Sequence, residues 1–150
     1  MSNPLSNGVP GLTSADWDLI HEKIQEVLAE MGRRVAERWP TISSQGGRTS
    51  TQRFPLFSYR TFQGAAEGEA DAVVVGLDIQ PQEQVVSIRG DISGEETGRI
   101  FFDEACEAEV EPERDAVLRA ALAVARRLAG QLDTIHEALA VPSRAPGNGS

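Results

Sequence analysis

A chain of 150 residues with 40% hydrophobic and 25% charged residues has the makings of one globular domain, and it needs no disulfide or metal to close a core. Fourteen basic against twenty-three acidic residues leave a net charge of −9, which opposes nucleic-acid binding by counterion release and adsorption to anionic lipid. No apolar run approaches the ~20 residues of a bilayer span, so a membrane protein is not expected.

The first twenty residues hold neither Lys nor Arg nor an apolar stretch, so a secretory signal is not expected. Lone Cys106 excludes a disulfide framework and a Cys-rich zinc site within one chain, and a cytoplasmic location is the expectation. The basic set is thirteen Arg and one Lys, Lys23. Arg suits bidentate recognition better than Lys, but codon usage in a GC-rich genome would produce the same skew without any functional demand.

Residues 1–12, rich in Asn, Gly, Pro and Ser, read as a flexible N-terminal arm, and residues 141–150 (VPSRAPGNGS) as a flexible tail. Between them, 13–140 reads as a single α+β domain. From Ser14 to Trp39 an apolar stripe (Trp17, Ile20, Ile24, Val27, Leu28, Met31, Val35, Trp39) recurs at steps of three and four, which predicts a helix. Thr13 or Ser14 can cap it, Asp16 and Asp18 suit its first turn, and Pro40 ends it. A second helix is predicted from Pro112, with Val117, Leu118, Ala121, Leu122, Ala125, Leu128, Leu132, Ile135 and Leu139 along one side and Gly130 as its weak point.

Four segments between the helices have β character: Arg53–Phe62, Ala70–Gln80, Gln84–Ile92 and Thr97–Asp103. Short turns join them, so neighbours should be antiparallel. The predicted fold is a two-layer α-β-β-β-β-α arrangement, a four-stranded antiparallel meander with two antiparallel helices packed on one face.

Centring each hairpin on its turn places Phe57, Val75, Ile88 and Phe101 in one row of a core face, flanked by Tyr59 and Val73 and by Pro55, Leu77 and Val86. The opposite face then carries Leu56, Gly76, Ser87 and Phe102; Ser58, Val74, Arg89 and Ile100; Arg60, Ala72, Asp91 and Gly98; with Phe54, Asp78 and Val85 beyond. A slip of one residue exchanges the faces of a strand. Apolar groups interleaved with charges mark a surface built to meet something. The candidate interaction or ligand surface is therefore Phe54, Leu56, Ser58, Arg60, Asp78, Ser87, Arg89, Asp91, Ile100 and Phe102.

Motifs for phosphate loops, dinucleotide folds, zinc proteases and serine hydrolases are absent from the sequence. The Gly90–Gly98 stretch resembles a phosphate loop only superficially, because it lacks Lys and carries Glu95 and Glu96; it reads as a turn. Antiparallel helices would bring His21 and His136 to one end, yet each lies at the edge of an apolar stripe and reads as structural. Cys106 sits among acids that disfavour a thiolate, so it reads as a small buried residue.

Charge is polarised along the chain. Six Arg against Glu37 occupy 33–60, and nine acids against Arg99 and Arg114 occupy 95–115. The two stretches are expected near one end of the domain, neutralising each other, or else the acidic one faces a basic partner.

No catalytic residue, metal site or cofactor is assigned. The expectation is a small, acidic, cytoplasmic protein-interaction module without catalysis, its partner another protein or a second copy, with neither nucleic acid nor membrane. Immunity proteins and secretion chaperones share that profile, an analogy of size and charge alone. The alternative is a small-ligand-binding domain or enzyme that uses polar groups on the sheet.

Overall fold

The structure, a computed structural model, describes residues 12–49, 56–64 and 71–140. Helix α1 runs Ser14–Arg38 and opens on a reciprocal cap. Thr13 Oγ accepts from the Asp16 amide at 3.2 Å, and Asp16 Oδ2 accepts from the Thr13 amide at 3.0 Å. Its stripe of Trp17, Ile20, Ile24, Leu28, Met31 and Val35 is buried, and Trp39 caps its end just before Pro40. Leu12, which the sequence places in the arm, is buried in the core. The rest of the predicted arm, and the predicted tail, lie outside the described residues.

Strands β1 (Ser43–Thr49), β2 (Leu56–Gln63), β3 (Val73–Pro81) and β4 (Val86–Gly94) pair antiparallel in chain order. Strands β5 (Ile100–Phe102) and β6 (Glu107–Val110) both pair with β4, at its end and its start respectively. They form one interrupted traverse. Between them Ala105 takes a positive φ of 56°, and the Gly90 amide donates to the Cys106 carbonyl at 2.7 Å, continuing the ladder across the gap.

Helices α2 (Arg114–Ala129) and α3 (Leu132–Leu139) follow. The predicted single second helix is broken at Gly130–Gln131, where glycine weakens the helix by ~1 kcal/mol relative to Ala. The break lets α3 re-aim Ile135 and Ala138 into the core. Pro112 precedes α2 and is not part of it.

The α+β class and the helix–sheet–helix order are as expected, with more strands than the four anticipated. The extra strand reverses a consequence drawn from that count. Along α1, His21 lies over Ser58 and Gly32 over Arg60 and Ser44, so the helix follows β2. After Val110, which pairs with Val86, α2 carries Val124 and Leu128 over Gly90 and so follows β4. Both β2 and β4 run against β3, and therefore the two helices run in the same sense rather than antiparallel. Edge strand β1 makes the number of traverses odd.

The core lies between the helices and one sheet face. Its cross-strand rows read Leu56–Ile79–Ile88–Ala108, Ser58–Leu77–Gly90, Arg60–Val75–Ile92 and Phe62–Val73–Gly94. Each fully buried Ile or Leu here contributes about 1.5–3 kcal/mol. Among the described residues no helix is long and apolar enough to cross a membrane.

The β4–β5 turn is held from a distance. Asp71, just ahead of β3, accepts hydrogen bonds from the Glu96 and Thr97 amides at 3.0 Å and from Thr97 Oγ at 3.1 Å. The loop-like Gly90–Gly98 stretch is thus half strand and half turn, with its carboxylate clamp supplied by Asp71.

Candidate interaction surface on the open face of the sheet

Strand alternation sends Thr49, Phe57, Asp78, Arg89 and Glu107 to the side away from the helices, in one cross-strand row. The adjoining row is Gly47, Tyr59, Gly76 and Asp91, and the next is Gln45, Thr61, Val74 and Ser93. Gln80, Ser87 and Glu109 continue the pattern at the opposite margin.

Two rings organise the β1–β3 half of this face. Phe57 and Tyr59 stack with centroids 5.2 Å apart and planes 26° from parallel. The Phe57 ring lies across Gly76, where a Cβ would stand 2.6 Å from Cε1. The Tyr59 ring covers Gly47 in the same way, with a Cβ there 2.5 Å from Cζ. Glycine at these positions is required by close approach of a ring, a known means of protecting strand glycines.

The β3–β6 half is acidic. Burial, then the charge of Asp91, pushes the Asp78 carboxyl up from its ordinary range, and Arg89 only partly offsets this. Burial, then Asp103, does the same to Asp91, again countered by Arg89. Arg89 is itself exposed and stands 3.9 Å from Glu107, a separation at which a surface ion pair contributes little.

Of the residues assigned to this surface from sequence, Asp78, Ser87, Arg89, Asp91 and Ile100 are on it, and Ile100 is 49% exposed. Leu56, Ser58 and Arg60 are on the helix face instead, because β2 is displaced by an odd number of residues from the turn-centred register. Phe57 and Tyr59, expected in the core, take their place outside. Phe102 pairs with Ile92 on the helix side, since a bulge at Phe101 shifts the short β5. Phe54 lies outside the described residues. A ligand site that combines Ser58 and Arg60 with Asp78, Ser87 and Arg89 is therefore divided by the sheet itself.

The displaced polar residues form a network under α1. Gln25 Nε2 donates to Ser58 Oγ at 3.0 Å and to the Tyr59 carbonyl at 3.1 Å. Ser58 Oγ lies 2.9 Å from His21 Nδ1, a hydrogen bond whose direction follows the imidazole's tautomer. Burial, helped by Arg48, holds His21 below its ordinary pKa, with Asp18 opposing. Arg60 Nε donates to Ser44 Oγ at 2.8 Å beneath Gly32, and burial lowers its pKa.

His136 stacks on Trp39, centroids 4.5 Å apart, beyond the far end of α1 from His21. The two histidines do not meet, because the helices run in the same sense. Among the described residues no group of three His, Cys, Asp or Glu side chains is placed to hold a metal ion. Cys106 is buried, donates to the Glu104 carbonyl at 3.3 Å, and has its thiol pKa raised chiefly by burial.

The charge-polarised stretches sit at opposite edges of the sheet, β1 at one and β6 at the other. Arg33, Arg34, Arg38 and Arg48 form ion pairs with Glu30, Glu37, Asp133 and Asp18 rather than the mutual neutralisation expected. A cleft of about 410 Å³ lies between α1 and the end of α2, lined by Val27, Met31 and Ala129 together with Glu30, Arg34 and Arg126. Comparison of the chain with known protein families, with curated proteins and with solved structures returns no match in any of the three.

Proposed function

We propose that this protein is a cytoplasmic interaction module without catalysis that docks a protein partner, another protein or a second copy, on the open face of its sheet. The observation that carries the reading is the pair of stacked rings beside two half-buried carboxylates, on the side of the sheet away from α1, α2 and α3. Solvated sheet faces are ordinarily lined by freely hydrated polar groups. Partly desolvated carboxylates and rings supported by glycine fit a surface that completes its contacts with another molecule. The net charge of −9 argues against nucleic acid and anionic lipid as that molecule.

Val74 lies on the central strand β3 in the outer row of the face, between Thr61 and Ser93 and beside the Tyr59–Gly76–Asp91 row, and serves as the probe. In affinity capture from the native source and in sedimentation velocity at two concentrations, Val74→Lys should lose a specific bound protein or a self-associated species. Its thermal midpoint should stay within a few degrees of the parent. Identical captured proteins and identical masses for the two chains would refute the assignment.

A second reading, small-ligand binding, draws on the cleft between α1 and α2, whose volume falls in the range of ligand pockets. A single compound from a metabolite library that raises the thermal midpoint by several degrees, with the effect lost in Met31→Trp, would favour it.

A further inference from the structure

We propose that the open face recognises a basic segment of a partner protein, one arginine side chain seating against the Phe57 ring and pairing with Asp78 and Asp91. This rests on the interaction-module reading and names the partner's chemistry. The register sets Phe57 opposite Asp78, and Gly76 opposite Asp91. Because the tip of the Phe57 ring lies over Gly76, it stands beside both acid positions, Asp78 two residues along β3 and Asp91 across from Gly76 on β4. The second ring, Tyr59, backs it at 5.2 Å.

A guanidinium is planar, weakly hydrated, stacks on aromatic faces and pairs with carboxylates in a fork. The face offers both halves of that recognition within one or two residues. An ammonium, compact and strongly hydrated, would use the charge but little of the ring.

Charge selects among occupants. In these rows four acids, Asp78, Asp91, Glu107 and Glu109, accompany one base, Arg89. Docking the face on a second copy would set acid against acid, an arrangement that costs affinity. A basic segment relieves the repulsion that the two aspartates exert, and the burial that now disfavours their charge becomes an advantage once a cation is beside them.

The test is to pan a phage-displayed library of random twelve-residue peptides against the full chain, then measure the best peptide by calorimetry. Arg should be enriched beside apolar residues. Replacing the key Arg by citrulline, which keeps the shape and removes the charge, should weaken binding roughly ten- to a hundredfold. The Asp78→Asn/Asp91→Asn chain should show a similar loss, and Phe57→Leu about a three- to tenfold loss. Circular dichroism and thermal midpoint establish that each variant is folded.

Peptides that lack Arg but still lose binding in Val74→Lys would overturn the arginine assignment alone. Peptides whose binding ignores Val74→Lys would overturn the module reading with it. A dimer that is stable at about micromolar concentration and dissolves in Val74→Lys would give the face to a second copy and also overturn the proposal.

Discussion

Gly90 lies in the middle of β4 on the helix side, and its lack of a side chain seats α2. A Cβ there would stand 2.7 Å from Val124 Cγ1, 2.8 Å from Leu128 Cδ1 and 3.4 Å from the Gly76 carbonyl oxygen. Carbon pairs prefer roughly 3.5–4.0 Å, so two methyl groups must each give way by about 0.7–1.3 Å. Overpacking of this kind costs about 1–3 kcal/mol. Alanine recovers about 0.5–1 kcal/mol, because glycine loses more conformational freedom in a strand.

Gly90→Ala should therefore destabilise by a net ~1–2 kcal/mol, a fall of about 3–6 °C in thermal midpoint for a domain of this size. Val124→Ala alone empties a buried site of two methyl groups and should cost ~2 kcal/mol. The double variant refills that site with the methyl group introduced on β4. Its cost should fall short of the summed single effects by ~1 kcal/mol or more. Urea unfolding of the four chains, with slopes compared to check two-state behaviour, reads these values. Additive costs, or a neutral Gly90→Ala, would mean that α2 does not rest on this stretch of β4.

Three further outcomes follow from the face assignments and the titrating groups. Ser58→Ala should cost about 1–3 kcal/mol in chemical unfolding because it removes the buried hydroxyl that partners His21 Nδ1 and is one of the acceptors of Gln25, whereas Thr61→Ala on the open face should cost well under 1 kcal/mol. Asp78 has a folded-state pKa above its ordinary 3.8, so its charge opposes folding at neutral pH and the opposition disappears as pH falls through that raised value. Asp78→Asn should thus be the more stable chain at pH 7, with the difference gone below 3.8 in thermal scans across pH. His21 lies below its ordinary 6.5, so its stabilising contribution is complete above 6.5 and is lost as pH falls through the lowered value; His21→Gln should flatten the stability profile in that window.

What could be read from the residues divides along physical lines. Helix α1 was fully legible because one periodic stripe, a Thr13 cap and Pro40 agree. Strands β3 and β4 showed the right faces, since Val75, Leu77, Ile88 and Ile92 leave no comparable apolar set on the other parity. In β2 both parities are apolar, Leu56 and Phe62 against Phe57 and Tyr59, so the assumed hairpin centre decided the matter and decided it wrongly. The polar Ser58 and Arg60 reinforced the error, because their burial depends on partners in α1 and β1 that no periodicity reveals.

Strand β1, SSQGGRT, has no hydrophobic residue with which to signal itself. Strand β6, EAEV, reads as an acid run until Val110 and Ala108 are seen lying against α2's side of the sheet. For the candidate surface, Asp78, Ser87, Arg89 and Asp91 were legible as a charged face. Its rings were not, because ring placement over Gly47 and Gly76 exists only once the register is known.

That unsignalled edge has a consequence for how the domain opens. None of Ser43–Thr49 is buried, so β1 is held by its ladder to β2, by the Arg48–Asp18 pair, by the Arg60–Ser44 hydrogen bond and by the Gln25 side chain. Its amide protons should exchange with solvent through brief local fraying, long before those of β3, which reach deuterium only when the whole domain unfolds. Each such event would bare the hydrogen-bonding border of β2 and lift the glycine floor from under Tyr59. The border of the sheet nearest the rings is therefore the one most readily offered to an incoming extended chain.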